Sequence, residues 1–222
     1  MSSVDRDRIE AAVSEILAAI GEDPARAGLQ ETPRRVAELF AELYGGVGQD
    51  PADALGQAFP APDAPAAESN PSGPATPDAA DPTESPVAPA GQPVLMRGIA
   101  FRSVCEHHLL PFEGVAHVAY VPDRVVAGLG GVIRVVESAS SRPQLQERLT
   151  DDIAEALERG LGARGVLVVL DAKHGCVTAR GARQTGSSTV TLAARGELAD
   201  PAARAEITAL IGAGAAPGGD PR

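Results

Sequence analysis

The sequence predicts an α+β fold in which two strands, two helices and two further strands follow an N-terminal helical hairpin. Several segments carry apolar residues at intervals of three and four, as on one face of a helix. Other segments are short, β-branched and bounded by glycine or polar residues, as expected of strands. A chain of 222 residues can bury a substantial hydrophobic core, so it needs no disulfide framework.

Residues 1–50 predict a helical arm. The apolar face of its first helix consists of Ile9, Val13, Ile16, Leu17 and Ile20. Gly21 is a natural C-terminal stop for this helix. The second helix is predicted to have Thr32 as its N-cap, Pro33 in its first helical position and Gly45 at its end. The two helices should pack as a hairpin.

Residues 57–93 differ in composition from the rest of the chain. Ten of the nineteen prolines lie there, among Ala, Asp, Ser and Gly. Such a segment cannot bury enough apolar surface to offset its ordering entropy, so we expect a disordered linker. The main domain then covers 94–198. Asp200 and Pro201 predict a short helix within 199–222, followed by a flexible tail.

The main domain predicts the order β-β-α-α-β-β. Its strands are expected at 95–104, 115–121, 165–171 and 188–194. The first helix carries Val132, Val135, Val136 and Ala139 at helical spacing. For the second helix, Ser141 and Gln144 are predicted to form a capping box, with Pro143 in the first turn. One face of that helix consists of Leu145, Leu149, Ile153, Leu157 and Leu161.

The charge and hydropathy of the chain exclude some classes of partner. The net charge of −11 argues against a nucleic-acid surface or an anionic membrane, because both require a basic patch. The N-terminus lacks the pattern of a secretion signal, and no stretch approaches the roughly 18 apolar residues of a membrane span. We therefore expect a cytoplasmic protein with reduced thiols that binds neither nucleic acid nor a membrane.

The cysteines and histidines cluster in two short motifs. The chain has two cysteines and four histidines, and all but His117 lie in Cys105-Glu106-His107-His108 or His174-Gly175-Cys176. A catalytic zinc commonly takes three protein ligands and leaves a fourth position for water, and Cys105, His108 and Cys176 supply such a set. The neutral imidazole of His107 could then move protons beside the metal.

Other uses of the same residues remain open at this point. A disulfide between Cys105 and Cys176 would also account for both cysteines. A structural zinc is a further alternative, although structural sites usually have four ligands and no spare histidines. His174 and Cys176 would face the same side if both lie on one strand. We interpret His117 as a structural residue.

Three motifs together resemble the GTP cyclohydrolase I family. They are Cys105-Glu106-His107-His108, the run from Arg142 to Leu149 and His174-Gly175-Cys176, and the resemblance extends over residues 95–196. The Thr-Pro-Arg-Arg helix near residue 32 matches more loosely. Membership implies the tunnelling fold, in which ββααββ units associate into an oligomeric barrel, usually a homo-oligomeric decamer with active sites between subunits. It also implies zinc-dependent hydrolysis of GTP to 7,8-dihydroneopterin triphosphate and formate, the first step of folate or tetrahydrobiopterin synthesis.

The resemblance also implies a role for each matching residue. It implies zinc ligation by Cys105, His108 and Cys176 and proton transfer by His107 and His174. It implies purine recognition by Gln146 and Glu147. For the triphosphate it implies Arg134, Arg180 and, from the N-terminal helix and a neighbouring subunit, Arg35.

Two of these roles have support from the residues themselves. Glu147 falls in the first turn of a predicted helix, where the helix dipole favours a carboxylate that can accept hydrogen bonds from a guanine edge. Arg180 would share a face with His174 and Cys176 if a regular strand continued through them.

The chain departs from the family pattern at one position. Gly130-Gly131 follows Gly128-Leu129, where the family usually has Ser-Lys in contact with the phosphates. We expect backbone amides of the glycine pair to replace the lysine, because Lys173 should face away from His174. The missing lysine motivates one alternative, a divergent paralogue that acts on a related purine nucleotide. A second alternative, from another class, is a catalytically silent zinc-containing oligomer.

Overall fold

The computed structural model describes residues 4–61 and 91–213. The helices are α1 (Arg6–Ala19), α2 (Thr32–Leu43), α3 (Leu129–Ser140), α4 (Gln146–Leu161), α5 (Gly175–Thr178) and α6 (Pro201–Ala213). The strands are β1 (Ala58–Pro60), β2 (Val94–Cys105), β3 (Pro111–Val121), β4 (Val125–Ala127), β5 (Pro143–Gln144), β6 (Gly165–His174) and β7 (Thr189–Gly196). Among the described residues no helix is both long and apolar enough to cross a bilayer.

The N-terminal arm is the predicted helical hairpin, with α1 and α2 packed against each other. The Asp5 carboxylate caps α1 by accepting from the Arg8 N–H, and Gly21 follows the helix with a φ of 89°. The prediction of Thr32 as N-cap is wrong by one residue. Glu31 precedes the helix without a side-chain cap, and the Thr32 N–H donates to the Leu29 carbonyl.

The beginning of the predicted linker is ordered. A 3-10 helix at Pro51–Leu55 leads into β1, which pairs antiparallel with β4. Strand β1 places Phe59 opposite Val126, so part of the segment is held by backbone hydrogen bonds that composition does not reveal. The predicted linker therefore does not start at residue 57. Its residues 62–90 lie outside the described part of the chain, as does the predicted tail after residue 213.

The main sheet has the strand order β5-β2-β3-β6-β7. Strands β2, β3, β6 and β7 pair antiparallel, and the two-residue β5 pairs parallel with the end of β2. The predicted order β-β-α-α-β-β is thus confirmed, with β1, β4, β5 and α5 as additions.

Helices α3 and α4 cover one face of this sheet. On α4, Leu149, Ile153 and Leu157 are fully buried, as the periodicity predicted. Burying each of these side chains stabilises the fold by about 1.5 to 3 kcal/mol. The opposite face is covered in part by α6, where Ile207 packs in a cluster with Leu167.

The predicted capping box at the start of α4 does not form. The helix starts at Gln146, because Pro143 and Gln144 are extended in β5. The Gln144 amide instead donates to the Ala139 carbonyl and the Asp152 carboxylate, and the Ser141 hydroxyl donates to the Glu137 carbonyl. Pairing with β2 therefore determines where α4 begins.

On the sheet face opposite α3 and α4, some apolar side chains are exposed to solvent. Val190 and Leu192 alternate along β7 and are 62% and 46% exposed, and Val115 of β3 is 37% exposed. Ile16 and Ile20 of the arm are 58% and 69% exposed. Val190 and Leu192, two residues apart on β7, therefore expose neighbouring apolar side chains on this face of the sheet.

A charge pair attaches the segment before β1 to α4. The Arg159 guanidinium donates two hydrogen bonds, of 2.7 and 2.8 Å, to the Asp50 carboxylate. The Asp50 carboxylate also accepts from the Ala52 N–H. The Arg159 bonds, followed by the Ala52 bond, lower the pKa of Asp50 to about 2.

We predict that Asp50→Asn destabilises the protein at pH 7 by no more than about 1 kcal/mol, because solvent screens a pair of this exposure. A pKa lower in the folded state stabilises the fold above the unfolded value, near 4, and this contribution disappears as the pH falls towards 2. Denaturant unfolding of both proteins at pH 7, 4 and 2.5 measures this. A difference that does not shrink with falling pH would contradict the assignment. In a double-mutant cycle, adding Arg159→Gln to Asp50→Asn should not lower the free energy of unfolding further.

Candidate metal centre and active site

A tight turn after β2 presents the first motif. The Cys105 N–H donates to the Leu110 carbonyl at 2.8 Å, and the Cys105 carbonyl accepts from the N–H groups of His108 and Leu109. Leu109 has a φ of 52°, a left-handed conformation that is uncommon for a residue other than glycine. The turn brings the side chains at positions 105 and 108 to one side, as the Cys-x-x-His spacing predicted.

The second motif lies where β6 ends, and here one sequence expectation is wrong. His174 is the last residue of β6, but Cys176 lies in the single-turn helix α5 instead of continuing a strand. The strand-parity argument that placed His174, Cys176 and Arg180 on one face therefore does not apply. Gly175 allows this change of direction, because a Cβ there would lie 2.7 Å from the Pro111 carbonyl oxygen.

The structure brings Cys105, His108 and Cys176 together. One ligand atom from each lies within 4.8 Å of the other two. Cys105 is buried, Cys176 is half-buried and His108 is exposed. Two sulfurs bound to a tetrahedral zinc at about 2.3 Å would lie roughly 3.8 Å apart, so small side-chain movements would suffice to bind the ion. The residues present therefore fit a zinc ion.

The electrostatics of the cluster are consistent with a cation site. Burial raises the pKa of the Cys176 thiol, and the nearby Cys105 thiol raises it further. Two thiolates this close repel each other unless a cation lies between them. A disulfide is not formed, since both cysteines are free.

Arg180 reaches the cluster by a different route from the one predicted. Its Nη1 lies 3.0 Å from the Nε2 of His108. Because a guanidinium can only donate, the His108 Nε2 accepts this hydrogen bond. Arg180 is exposed at the edge of the cluster, next to the turn that follows α5.

An ion pair joins the metal turn to the start of α4. Arg148 donates to both Glu106 carboxylate oxygens, at 2.8 and 3.1 Å. The Arg148 guanidinium lowers the pKa of the Glu106 carboxyl group. A bidentate pair fixes orientation as well as distance, so the turn that carries Cys105 and His108 is attached to the helix that carries Glu147.

His174 is held by a ring stack and a hydrogen bond. Its imidazole lies parallel to the Phe112 ring, with 4.6 Å between centroids and 7° between planes. The Nε2 of His174 lies 2.7 Å from the Oε1 of Gln146. Burial lowers the pKa of His174, while the charge of Glu147 acts in the opposite direction.

Gln146 is buried, with 1% of its surface exposed. Its Nε2 donates to the carbonyls of Leu170 and Thr189 and to the Thr191 hydroxyl. Its Oε1 contacts His174. The side chain implied to recognise a purine is thus enclosed between α4, β6 and β7.

The other implied substrate residues lie in different surroundings. Glu147 is exposed in the first turn of α4, as predicted. Arg134 donates from Nε to the Ala54 carbonyl at 3.0 Å and from Nη2 to the Leu55 carbonyl at 3.1 Å. Arg35 is exposed on α2, within the N-terminal arm. His107 is exposed beside His108, with 6.3 Å between ring centroids.

The glycine pair at 130 and 131 packs against the 3-10 helix Pro51–Leu55. A Cβ added to Gly131 would overlap the Leu55 carbonyl oxygen, whereas one added to Gly130 would lie 3.3 Å from the Arg134 Nη1. The Gly131 N–H also donates to the Gly128 carbonyl at 2.8 Å. No side chain fits at position 131 with this backbone, so a lysine there would require the Leu55 carbonyl or the start of α3 to move.

Sequence reasoning missed three groups that shape the site. Phe112, Arg148 and Thr191 contact His174, Glu106 and Gln146, respectively. Arg148 belongs to the quoted Arg142–Leu149 run, and its charge opposite to Glu106 was the available signal. Strand pairing places Phe112 opposite His174, and the Thr191 hydroxyl reaches Gln146 from β7; neither residue type gave such a signal.

We predict that Gly131→Ser destabilises the protein by about 1 to 3 kcal/mol, because the backbone of Leu55 must move to admit the side chain. Gly130→Ser is the matched control and should change stability by less than about 0.5 kcal/mol, since the Arg134 side chain can shift. Denaturant midpoints of the two variants decide the question. Equal stability of both would contradict the packing described here.

The sequence matches known proteins over nearly its whole length. The family model for GTP cyclohydrolase I matches residues 9–67 and 75–212. The GTP cyclohydrolase 1 of Leifsonia xyli subsp. xyli is 55% identical over 97% of this chain and 100% of its own length. Those of Carboxydothermus hydrogenoformans and Bacillus subtilis are 46% and 44% identical, over 94% and 93% of this chain and 96% of each relative. The chain therefore belongs to the GTP cyclohydrolase I family and is an enzyme of that type.

Proposed function

We propose that this protein hydrolyses GTP to 7,8-dihydroneopterin triphosphate and formate, the first step of folate or tetrahydrobiopterin synthesis. The observation that carries the proposal is the convergence of Cys105, His108 and Cys176 within 4.8 Å of one another in a chain of this family. His174 ends β6 and Glu147 lies in the first turn of α4, and the charge of Glu147 acts to raise the pKa of His174 against the effect of burial. Metal ligands, a proton carrier and a purine-binding carboxylate are the groups that hydrolysis of a purine ring requires.

The metal is proposed to be zinc. Two thiols and an imidazole are the ligands that Zn²⁺ prefers, and a three-ligand site leaves a position for water. Zinc bound there supplies a water molecule whose pKa is lowered towards 7 and a Lewis acid beside the substrate. Glu106 supports the site by fixing its turn to Arg148.

His107 and His174 are proposed to move protons. His107 is exposed next to a ligand residue, where it can exchange protons with solvent. His174 is half-buried and stacked on Phe112, and its lowered pKa favours the neutral ring that can accept a proton. One histidine thus lies on the solvent side and the other on the protein side.

Glu147 is proposed to bind the guanine edge, and Arg180, Arg134 and Arg35 the triphosphate. A neutral histidine that ligates a metal keeps a hydrogen on its other ring nitrogen, so His108 cannot then accept from Arg180. Zinc binding would therefore release the Arg180 guanidinium for an anionic group. Arg134 would have to leave the Ala54 and Leu55 carbonyls, so its contribution requires a side-chain movement.

The family match does not favour the two alternative functions. It includes the candidate metal ligands, helix α4 and the glycine pair, and the relatives that match nearly the whole chain are named GTP cyclohydrolase 1. Backbone amides near Gly130 remain our proposal for the phosphate contact that the absent lysine would make. The cytoplasmic location expected from the sequence stays a prediction.

We also propose that the protein is a homo-oligomer, in which the tunnelling fold forms a decamer. The exposed apolar residues Val190 and Leu192 lie on β7, at an end of the sheet, and a second copy could cover them. Arg35 is carried by the arm, which could extend to a neighbouring subunit. An assembly of this kind would bring Arg35 to the active site of another copy.

We expect the zinc-loaded protein to release formate and a pterin, fluorescent after oxidation, in equal amounts from GTP. His107→Asn should keep the metal and lower kcat at least about 100-fold, because general acid–base groups contribute 10²- to 10⁴-fold. Cys105→Ser should lose zinc and activity together. Formate release, fluorescence and metal content are measured on the same sample. Zinc-loaded wild-type protein that yields neither product would refute the function.

We expect light scattering to give the mass of ten chains for the wild-type protein. Val190→Lys combined with Leu192→Lys should dissociate it, because charges on the apolar face of β7 resist burial. Val190→Ile with Leu192→Ile is the matched control and should keep the assembly. A wild-type protein that stays single-chain at micromolar concentration, or a lysine variant of unchanged mass, would contradict the proposal.

A further inference from the structure

We propose that Gln146 is a positioning residue for His174, in place of the purine contact implied by the resemblance. Its side-chain oxygen holds the imidazole in the tautomer with hydrogen on Nε2, which leaves the lone pair of the ring on Nδ1. The geometric part of this proposal stands by itself, while its catalytic consequence rests on the proposed function. Gln146, Phe112 and His174 form what we call the imidazole clamp.

The orientation of the Gln146 amide is determined by its neighbours. The amide nitrogen lies 3.2 Å from the Leu170 carbonyl oxygen and 2.8 Å from that of Thr189. Carbonyl oxygens only accept, so the group that faces them has to be the NH₂ donor. Exchanging nitrogen and oxygen would put Oε1 against two carbonyl oxygens in a buried site, which is strongly unfavourable.

The two threonine hydroxyls agree with this orientation. The Thr150 hydroxyl donates to the backbone carbonyl of Gln146 at 2.6 Å. Its hydrogen is therefore in use, and its oxygen accepts from the Thr191 hydroxyl, which is also 2.6 Å away. The Thr191 oxygen is then free to accept from the Gln146 amide nitrogen, at 3.1 Å. The donor and the acceptor of each of these hydrogen bonds are thus determined, and all of them agree with the amide nitrogen of Gln146 facing Leu170, Thr189 and Thr191.

The fixed amide determines the tautomer of His174. An amide oxygen only accepts, so the His174 Nε2, at 2.7 Å, must carry the hydrogen. In a neutral imidazole the second nitrogen then has the lone pair. Nδ1 is therefore the hydrogen-bond acceptor of the His174 ring.

Phe112 fixes the remaining freedom of the ring. The parallel stack at 4.6 Å sets the plane of the imidazole, and the Gln146 bond sets its rotation within that plane. Strand pairing holds Phe112 opposite His174, so the stack belongs to the sheet itself. A proton acceptor held in this way loses little entropy when it reacts.

We assign purine recognition to Glu147 alone, because Gln146 is buried. Gln146 has 1% of its surface exposed, and its amide hydrogens face three acceptors. Glu147 is the next residue along α4 and is exposed. Successive residues on a helix point about 100° apart, so one can face the core while the other faces a ligand. A buried positioning residue thus lies beside an exposed recognition residue.

A direct test is the ¹⁵N spectrum of histidine-labelled, zinc-loaded wild-type protein. The chain has four histidines, and the His174 signals are those missing from His174→Asn. We expect a hydrogen-bearing Nε2 and a hydrogen-free Nδ1. The opposite tautomer, or an equal mixture of the two, would overturn the proposal whether or not the protein hydrolyses GTP.

Kinetics test the catalytic consequence. Gln146→Met removes the acceptor with little change in size, and we expect kcat for GTP to fall about 10- to 100-fold while KM changes less than about threefold. Thr191→Val is the matched control, because it removes another hydrogen bond of Gln146 and leaves the acceptor in place. Because Thr191 also helps to orient the Gln146 amide, we expect the kcat of Thr191→Val to fall by less than that of Gln146→Met, while the His174 Nε2 keeps its hydrogen in the ¹⁵N spectrum.

The outcomes separate the possible roles of Gln146. A KM raised tenfold or more with unchanged kcat in Gln146→Met would make it a purine contact and overturn the proposal. Equal losses of kcat in Gln146→Met and Thr191→Val would overturn it as well, because general damage to the pocket would then account for both. Wild-type protein that makes no formate refutes the proposed function, and the ¹⁵N spectrum then decides the tautomer assignment alone.

Discussion

The packing of α4 across β6 and β7 is the constraint on which the rest of the site depends. On its apolar face Leu149, Ile153 and Leu157 are fully buried. The helix therefore cannot slide or rotate without exposing core side chains. Its first residue, Gln146, enters the same buried layer and bonds to backbone on two strands. The position of α4 thus determines that of Glu147 and of the Arg148 pair with the metal turn.

Much of the main domain could be predicted because its elements bury one face each. The helical period of α3 and α4 and the apolar runs of β3 and β6 follow from that requirement, and the structure confirms them. The short elements β1, β4, β5 and α5 could not be predicted in this way. Each has four residues or fewer, too few to show a period, and each is stabilised by a partner distant in sequence.

The candidate site divides along the same line. Cysteine and histidine are typical metal ligands and their spacing can be recognised, so Cys105, His108 and Cys176 could be grouped from the sequence. The surroundings of Gln146 could not, because its partners Leu170 and Thr189 contribute backbone atoms that are identical in every residue. The glycine pair shows the same limit, since what occupies the space beside Gly131 is a backbone carbonyl. Site residues that act through their side chains could be predicted from the sequence, whereas contacts made by backbone atoms could not.

The exposed face of β7 connects stability to activity. Val190 and Leu192 alternate with Thr191, so the same strand presents apolar surface outwards and a Gln146 partner inwards. Covering the outer face would remove apolar area from water at about 25 cal/mol per Å² and would hold β7 more rigidly. A more rigid β7 keeps the Thr189 carbonyl in place, and through it the Gln146 amide and the His174 ring. Assembly on this face would then order the imidazole clamp, and the proposed assembly would also bring Arg35 of one copy to the active site of another.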